Sequence, residues 1–317
     1  MVESKKQWKA WLYLAPAIFL LAIFTVWPIF NTVRIAFLED YGLMNSMTGK
    51  FKYEFGFKNF VSVINYKDFG VCLKNTVILC VITVPLSTTI ALLIAVCLNS
   101  IKPLNRLLQT IYFLPYVTNS IAIGMVFTTM FNIINVKSIG VNNDLVSFGI
   151  VNDVLRFFGF EAINWINAGS SYAANMTVLV IYIVWNALPF KILILLGGLQ
   201  SVNKQYYDAA KVDGTSRART LWRITVPLLS PMLAYVIITG FIGGFKEYSS
   251  VAGIFGDSMG PVGEPYKLDT IVGFIDRMIR LYPNKEGIAS AGAIVLFGII
   301  LVITLINLYV SKKKVHY

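Results

Sequence analysis

A charge inside an apolar stretch is costly in a bilayer and defaults to a functional role. Lys191 stands five residues after Trp185-Asn186 in one such stretch, and Lys246-Glu247-Tyr248 lies near the end of another. Cation, carboxylate, amide, indole and phenol can hold a polar solute. They do not form a base and nucleophile pair, so the chemistry they offer is binding. The single histidine, His316, lies at the tail, and no two carboxylates share an apolar stretch. A phosphate loop needs G-x-x-x-x-G-K-[ST]. Gly49-Lys50 fails that test, because Phe51 follows it and Met44 stands where the first glycine belongs. No catalytic residue, cofactor or metal is expected. Cys72, Cys80 and Cys97 have neither zinc nor redox spacing and read as small apolar fillers.

The elements around these residues follow from composition. Of 317 residues, 56% are apolar and 14% charged, with a mean hydropathy of +0.68. Soluble domains carry about a quarter charged residues, so this chain belongs in a bilayer. Spanning helices need about 20 mostly apolar residues. Six stretches qualify, at about 10–38, 75–98, 107–131, 172–199, 228–254 and 288–310. The expectation is an all-α membrane protein of one domain over 1–317, with a first helix that is retained rather than cleaved. Prolines 16, 28, 85, 115, 189, 227 and 231 lie in or beside these stretches and favour kinked helices.

Basic residues set the orientation. With six spans and both termini inside, the cytoplasmic segments hold Lys5, Lys6 and Lys9, then Lys102 and Arg106, then Lys204 through Arg223, and finally Lys312 to Lys314. Only Glu3, Asp208 and Asp213 oppose them, and the outer loops are nearly balanced. Topology therefore accounts for almost all of the +11 net charge. No basic and aromatic recognition patch is left over, and nucleic acid is not an expected partner.

The cytoplasmic segment 200–227 is too long and too patterned for a connector. Gln205 to Val212 has helix-forming composition, Asp213-Gly214 is a turn dipeptide, and Thr215 or Ser216 can cap a second helix. That helix is expected to pass Ile224 and stop before Pro227. Gly214 supplies either a positive φ or room for another backbone. The product is a helical elbow suited to docking a soluble partner.

Here the sequence resembles the inner-membrane permease subunits of binding-protein-dependent ABC importers. Their cytoplasmic signature runs Glu-Ala-Ala, two residues, Asp-Gly-Ala, then Phe, and finally Ile-x-Leu-Pro. Ala209, Ala210, Asp213, Gly214, Ile224 and Pro227 match in register, while Asp208, Thr215, Leu221 and Val226 are mild departures. Leu14-Ala15-Pro16-Ala17, Asn75-Thr76, Phe113-Leu114-Pro115-Tyr116, Trp185 to Pro189, Phe245-Lys246 and Gly287 to Ala291 resemble the carbohydrate, maltose-transporter-like branch.

The resemblance implies a bacterial inner-membrane subunit. It implies two partner ATPases, a second and different permease, an extracytoplasmic solute-binding protein and a sugar cargo. Tyr207, Asp208, Ala209, Ala210, Asp213, Gly214, Ile224 and Pro227 become the residues that couple to the ATPase. Trp185, Asn186, Lys191, Lys246, Glu247, Tyr248 and Ser290 become the substrate path, although Lys191 and Lys246 could instead extend to the interface. The outer loops 39–74 and 132–171, a short helix near Asn152 to Phe158, and an amphipathic helix over 271–279 offer places for the binding protein. Two readings stay open: the same machine carrying a polyol or glycerol-phosphate, and a self-contained secondary transporter, which would leave the elbow without a purpose.

Overall fold

The structure is a computed structural model that describes residues 7–42, 53–101, 105–136 and 145–314. Glu3, Lys5, Lys6, Met44, Gly49, Lys50, Phe51, Lys102 and His316 lie outside the described residues. Without water to satisfy them, backbone groups in a bilayer bond within their own segment, so the long apolar stretches become helices. Four are single helices of spanning length: Trp8–Ala36, Phe69–Ser100, Tyr172–Ser201 and Glu286–Lys313. At 1.5 Å per residue the Phe69–Ser100 helix is about 48 Å long, well beyond the hydrocarbon core.

The other two expected spans are bent. Thr110–Val117 and Ser120–Phe131 meet at 103°, and Arg217–Leu228 meets Ser230–Phe245 at 72°. Among the described residues, four to six helices are therefore long and apolar enough to cross a membrane, depending on how each bent pair is counted. The break at 118–119 has a local cause. Pro115 weakens the end of the first helix, and Asn119 caps the next, its Oδ1 accepting from the Ile121 and Ala122 amides at 2.9 and 3.4 Å. The stretch expected to run to 254 is likewise interrupted, with Ser249–Phe255 forming a separate helix after Lys246-Glu247-Tyr248.

Pro28 and Pro227 share a solution. Each follows a π-helical turn, in which the Trp27 amide bonds to the Ala22 carbonyl and the Val226 amide to the Leu221 carbonyl. A proline ring clashes with the carbonyl four residues back, and the wider turn moves that carbonyl aside. The second helix of the 200–227 segment consequently does not stop before Pro227, as expected, but continues to Leu228.

The chain divides into two compact units, residues 1–69 with 274–297 and residues 70–273 with 298–317. In the first, Asn59 Nδ2 donates to the Ala36 and Leu38 carbonyls at 3.1 and 2.9 Å and ends the N-terminal helix. Phe37 packs its ring on Phe55, Phe57 and Phe60 beside a two-residue strand pair, Leu38–Glu39 with Glu54–Phe55. Buried Arg277 pairs with Asp68 at 3.2 Å.

The second unit holds two apolar cores. One gathers Leu79, Phe127, Phe131, Leu179, Tyr182 and Val251; the other gathers Ala91, Ala95, Leu195, Leu199, Leu229 and Val236. Gly124 and Gly253 face each other across the first core, and a Cβ built on Gly124 would lie 2.6 Å from the Gly253 Cα. Only hydrogens allow that approach. The expected helix near Asn152 is present as Gly149–Phe157, behind a second short strand pair, Ile134–Val136 with Leu145–Ser147.

Candidate functional site

The 200–227 segment builds its elbow from local bonds. Asn203 caps the Lys204–Val212 helix, its Oδ1 accepting from the Gln205 amide at 3.0 Å. At the other end, the Gly214 amide donates to the Lys211 carbonyl at 3.1 Å and the Thr215 amide to the Ala210 carbonyl at 2.9 Å. That bond pair is a Schellman motif, which requires a left-handed residue between helix and exit. Gly214 supplies it, with φ +64° and no atom within 4 Å of where a Cβ would stand. Within the chain, Gly214 supplies the positive φ, and the open space beside it leaves room for another backbone. Ser216 then caps the next helix, its Oγ accepting from the Arg219 amide at 3.4 Å.

The two helices of the elbow share an inner seam. Ala210 is buried there, and the Tyr207 hydroxyl lies 3.4 Å from the buried Thr225 hydroxyl. Ile224 and Pro227 are half-buried along the same run. A cavity of about 750 Å³ lies beneath, lined by Asn99, Ser100, Leu199, Tyr207, Arg217 and Thr225. The outer side is bare. Tyr206, Asp208, Ala209 and Asp213 are exposed, Val212 is 88% exposed and Trp222 64% exposed. Among the described residues Asp208 pairs with Lys211, at 3.4 Å and exposed to solvent. An exposed pair of this kind is worth about 0–1 kcal/mol, so Asp208 can exchange it for a partner's cation.

The residues expected along a solute path are more dispersed. Trp185 is partly exposed with its ring 5.6 Å from Phe127, and Asn186 is half-buried next to it. Lys246 is exposed at the helix break. Glu247 turns back on its own chain, its Oε1 accepting from the Tyr248 and Ser250 amides at 3.1 and 3.0 Å and from the Ser250 hydroxyl at 2.8 Å. These bonds cap the start of the Ser249–Phe255 helix. Tyr248 packs against the Tyr182 core. Ser290, half-buried, belongs to the other unit. Lys191 is buried in the Tyr172–Ser201 helix and donates to the Ser87 and Thr88 hydroxyls and the Val84 carbonyl.

Sequence reading passed over several of these partners. Ser87, Thr88 and Thr225 look like ordinary small polar residues in helices, and nothing in their spacing names Lys191, about a hundred positions from the first two, or Tyr207, 18 positions from the third. Asn75 left a fainter trace as part of Asn75-Thr76. Its Nδ2 donates to the Lys267 and Asp269 carbonyls at 3.1 and 2.9 Å, its Oδ1 accepts from Tyr172, and Thr76 Oγ1 accepts from the Ile271 amide. Two adjacent side chains thus anchor the segment that leads into the amphipathic Ile271–Arg280 helix.

Residues 87–316 match the family described as "Binding-protein-dependent transport system inner membrane component". The lactose transport system permease protein LacF of Rhizobium radiobacter is 27% identical over 305 residues, which is 96% of this chain and 94% of that protein. The arabinooligosaccharides transport system permease protein AraP of Halalkalibacterium halodurans is 31% identical over 259 residues, 81% of this chain and 75% of that protein. Among solved structures, a crystal structure of a bacterial alginate ABC transporter in complex with alginate pentasaccharide-bound periplasmic protein contains a chain of the same fold. The TM-score is 0.75 at 22% identity, covering 98% of this chain and 96% of that one.

Proposed function

Since the chain belongs to the family of binding-protein-dependent transport system inner membrane components, we propose that it forms half of the membrane path of an ATP-driven sugar or oligosaccharide importer. The observation that carries this reading is the elbow. Its inner seam is closed and satisfied, while its outer side leaves Tyr206, Ala209, Val212 and Trp222 exposed among the described residues. Small Ala209 allows a partner backbone to come close, Asp208 offers a carboxylate, and Gly214 fixes the angle between the two helices. Tyr207, Ala210 and Thr225 bind those helices together, so a push on one is a push on both.

The mechanical route follows from the continuity through Pro227. A partner ATPase that grips the elbow moves Arg217–Leu228, and that helix hands its motion to Ser230–Phe245 across the 72° bend. Each bent pair counts as one span in this reading, giving six spans with both termini and the elbow in the cytoplasm of a bacterial cell. ATP is hydrolysed by two partner subunits, because the sequence carries no phosphate loop. A second, different permease completes the path, and an extracytoplasmic binding protein delivers the solute. Trp185, Asn186, Lys246, Tyr248 and Ser290 are the side chains offered along the path. Sugar as cargo is supported by the lactose, arabinooligosaccharide and trehalose/maltose permeases among the relatives.

Tagging this chain in its native membrane and extracting it in mild detergent tests the reading. Recovery of a second permease and an ATPase is expected, with a sugar on any binding protein that comes with them. Recovery of the chain alone, under conditions that keep another importer whole, would favour a self-contained transporter.

A further inference from the structure

Lys191 is 4% exposed, which leaves no lane from its amine to water or to a passing solute. An ammonium has three donors. All three are taken, by Ser87 Oγ at 2.7 Å, Thr88 Oγ1 at 2.9 Å and the Val84 carbonyl at 3.2 Å, every one of them on the Phe69–Ser100 helix. The two hydroxyls spend their own protons one turn back, Ser87 on the Thr83 carbonyl and Thr88 on the Val84 carbonyl, so their lone pairs are the part turned to the cation. A third helix closes the site. A Cβ on Gly240 of Ser230–Phe245 would lie 3.3 Å from the Lys191 nitrogen and 3.1 Å from a Val84 methyl. Among the described residues no carboxylate pairs with Lys191.

We propose that Lys191 is a positioning residue, a latch that holds the Phe69–Ser100 and Tyr172–Ser201 helices in this arrangement under Ser230–Phe245, and not a solute contact. The proposal rests on the reading of the chain as an ATP-driven permease, in which these helices must shift past one another. A slide of one residue, about 1.5 Å along a helix, removes the ammonium from at least one acceptor. Water cannot replace that acceptor in the bundle interior, so intermediate positions are disfavoured and the helices have a preferred register. The acceptors behave differently when the cation is removed. Each hydroxyl keeps its bond to a carbonyl and no polar atom is orphaned, so Lys191→Met releases the latch without a folding penalty from unsatisfied groups.

The test uses the assembled transporter in lipid nanodiscs, with Cys97→Ser and spin labels at Leu86→Cys and Leu193→Cys, positions exposed on the two latched helices. Two quantities are read: the label-to-label distance, and the rate of ATP hydrolysis with no binding protein or solute present. Lys191→Met is expected to retain its ATPase, to broaden or split a distance distribution that is narrow in the parent, and to raise idle hydrolysis about tenfold, the weight of one charge-assisted hydrogen bond. Lys191→Arg, which keeps the donors, is expected to restore part of both. A Lys191→Met transporter with the parent's distance and idle rate would overturn the latch. Should that variant fail to assemble, Thr88→Val removes one acceptor at constant shape and is expected to move both readouts in the same direction; parental values there would overturn the latch equally. If the parent itself recovers no ATPase, the permease reading fails, and the distances alone then decide the latch.

Discussion

The elbow and the Lys191 site are both polar constructions in an apolar protein, yet they are finished in opposite ways. The elbow satisfies its backbone locally and leaves its side chains open to water. The Lys191 site satisfies its side chains completely and is closed on all sides by three helices. An open polar surface next to a closed seam is what a docking element requires, and a saturated polar site is what a fixed helix register requires. Under the proposed function, energy enters the protein at the elbow and is resisted at Lys191.

Substitutions can break that contrast in order of force. The largest effect is expected from Gly214→Val. A β-branched residue held at φ +64° costs about 1–2 kcal/mol and destroys the Schellman exit. Membrane insertion is expected to persist while solute uptake by the reconstituted transporter falls at least about tenfold. Parental uptake would mean that the elbow's angle does not matter. Next comes Gly124→Leu, which drives a side chain into the Gly253 backbone 2.6 Å away. Overpacking of this kind costs about 1–3 kcal/mol. The melting temperature in detergent is expected to drop while the isolated elbow chemistry is untouched, which separates loss of fold from loss of coupling.

Smaller changes sharpen the picture of the elbow. Ser216→Ala removes a helix cap, and such caps are worth about 1 kcal/mol. With its bond already long at 3.4 Å, a modest fall in uptake is expected and no change in the melting temperature of the whole chain. Asp208→Asn should be the mildest in stability, within about 0.5 kcal/mol, because its pair with Lys211 stands in water. Its effect is expected in the salt dependence of ATPase retention during purification, which should flatten once the carboxylate is gone.

The same contrast explains what could be read in advance. Asp213-Gly214 and Ser216 announced the turn and the cap, because a Schellman exit and an N-cap are settled by residues within one turn of each other. The break at 118–119 was also written locally, in Pro115 and Asn119, but it was hidden inside an apolar run long enough to pass for a straight span. Pro227 misled for another reason. Proline normally ends a helix, and only the π-turn over Leu221–Thr225 lets this one continue. The Lys191 partners could not have been inferred at all, since Ser87 and Thr88 gain their meaning from a residue more than a hundred positions away. Glu247 accepts from the amides at the start of the helix that follows, a local bond that its place in Lys246-Glu247-Tyr248 did not reveal.

The central claim is that the outer side of the elbow receives an ATPase. A photo-reactive benzophenone amino acid placed at position 209 or 212, irradiated in intact membranes, tests it directly. The account predicts an adduct with the ATPase subunit from both positions and none from position 93, an exposed site on the Phe69–Ser100 helix. An ATPase that co-purifies with the chain yet forms no adduct at 209 or 212 would contradict it.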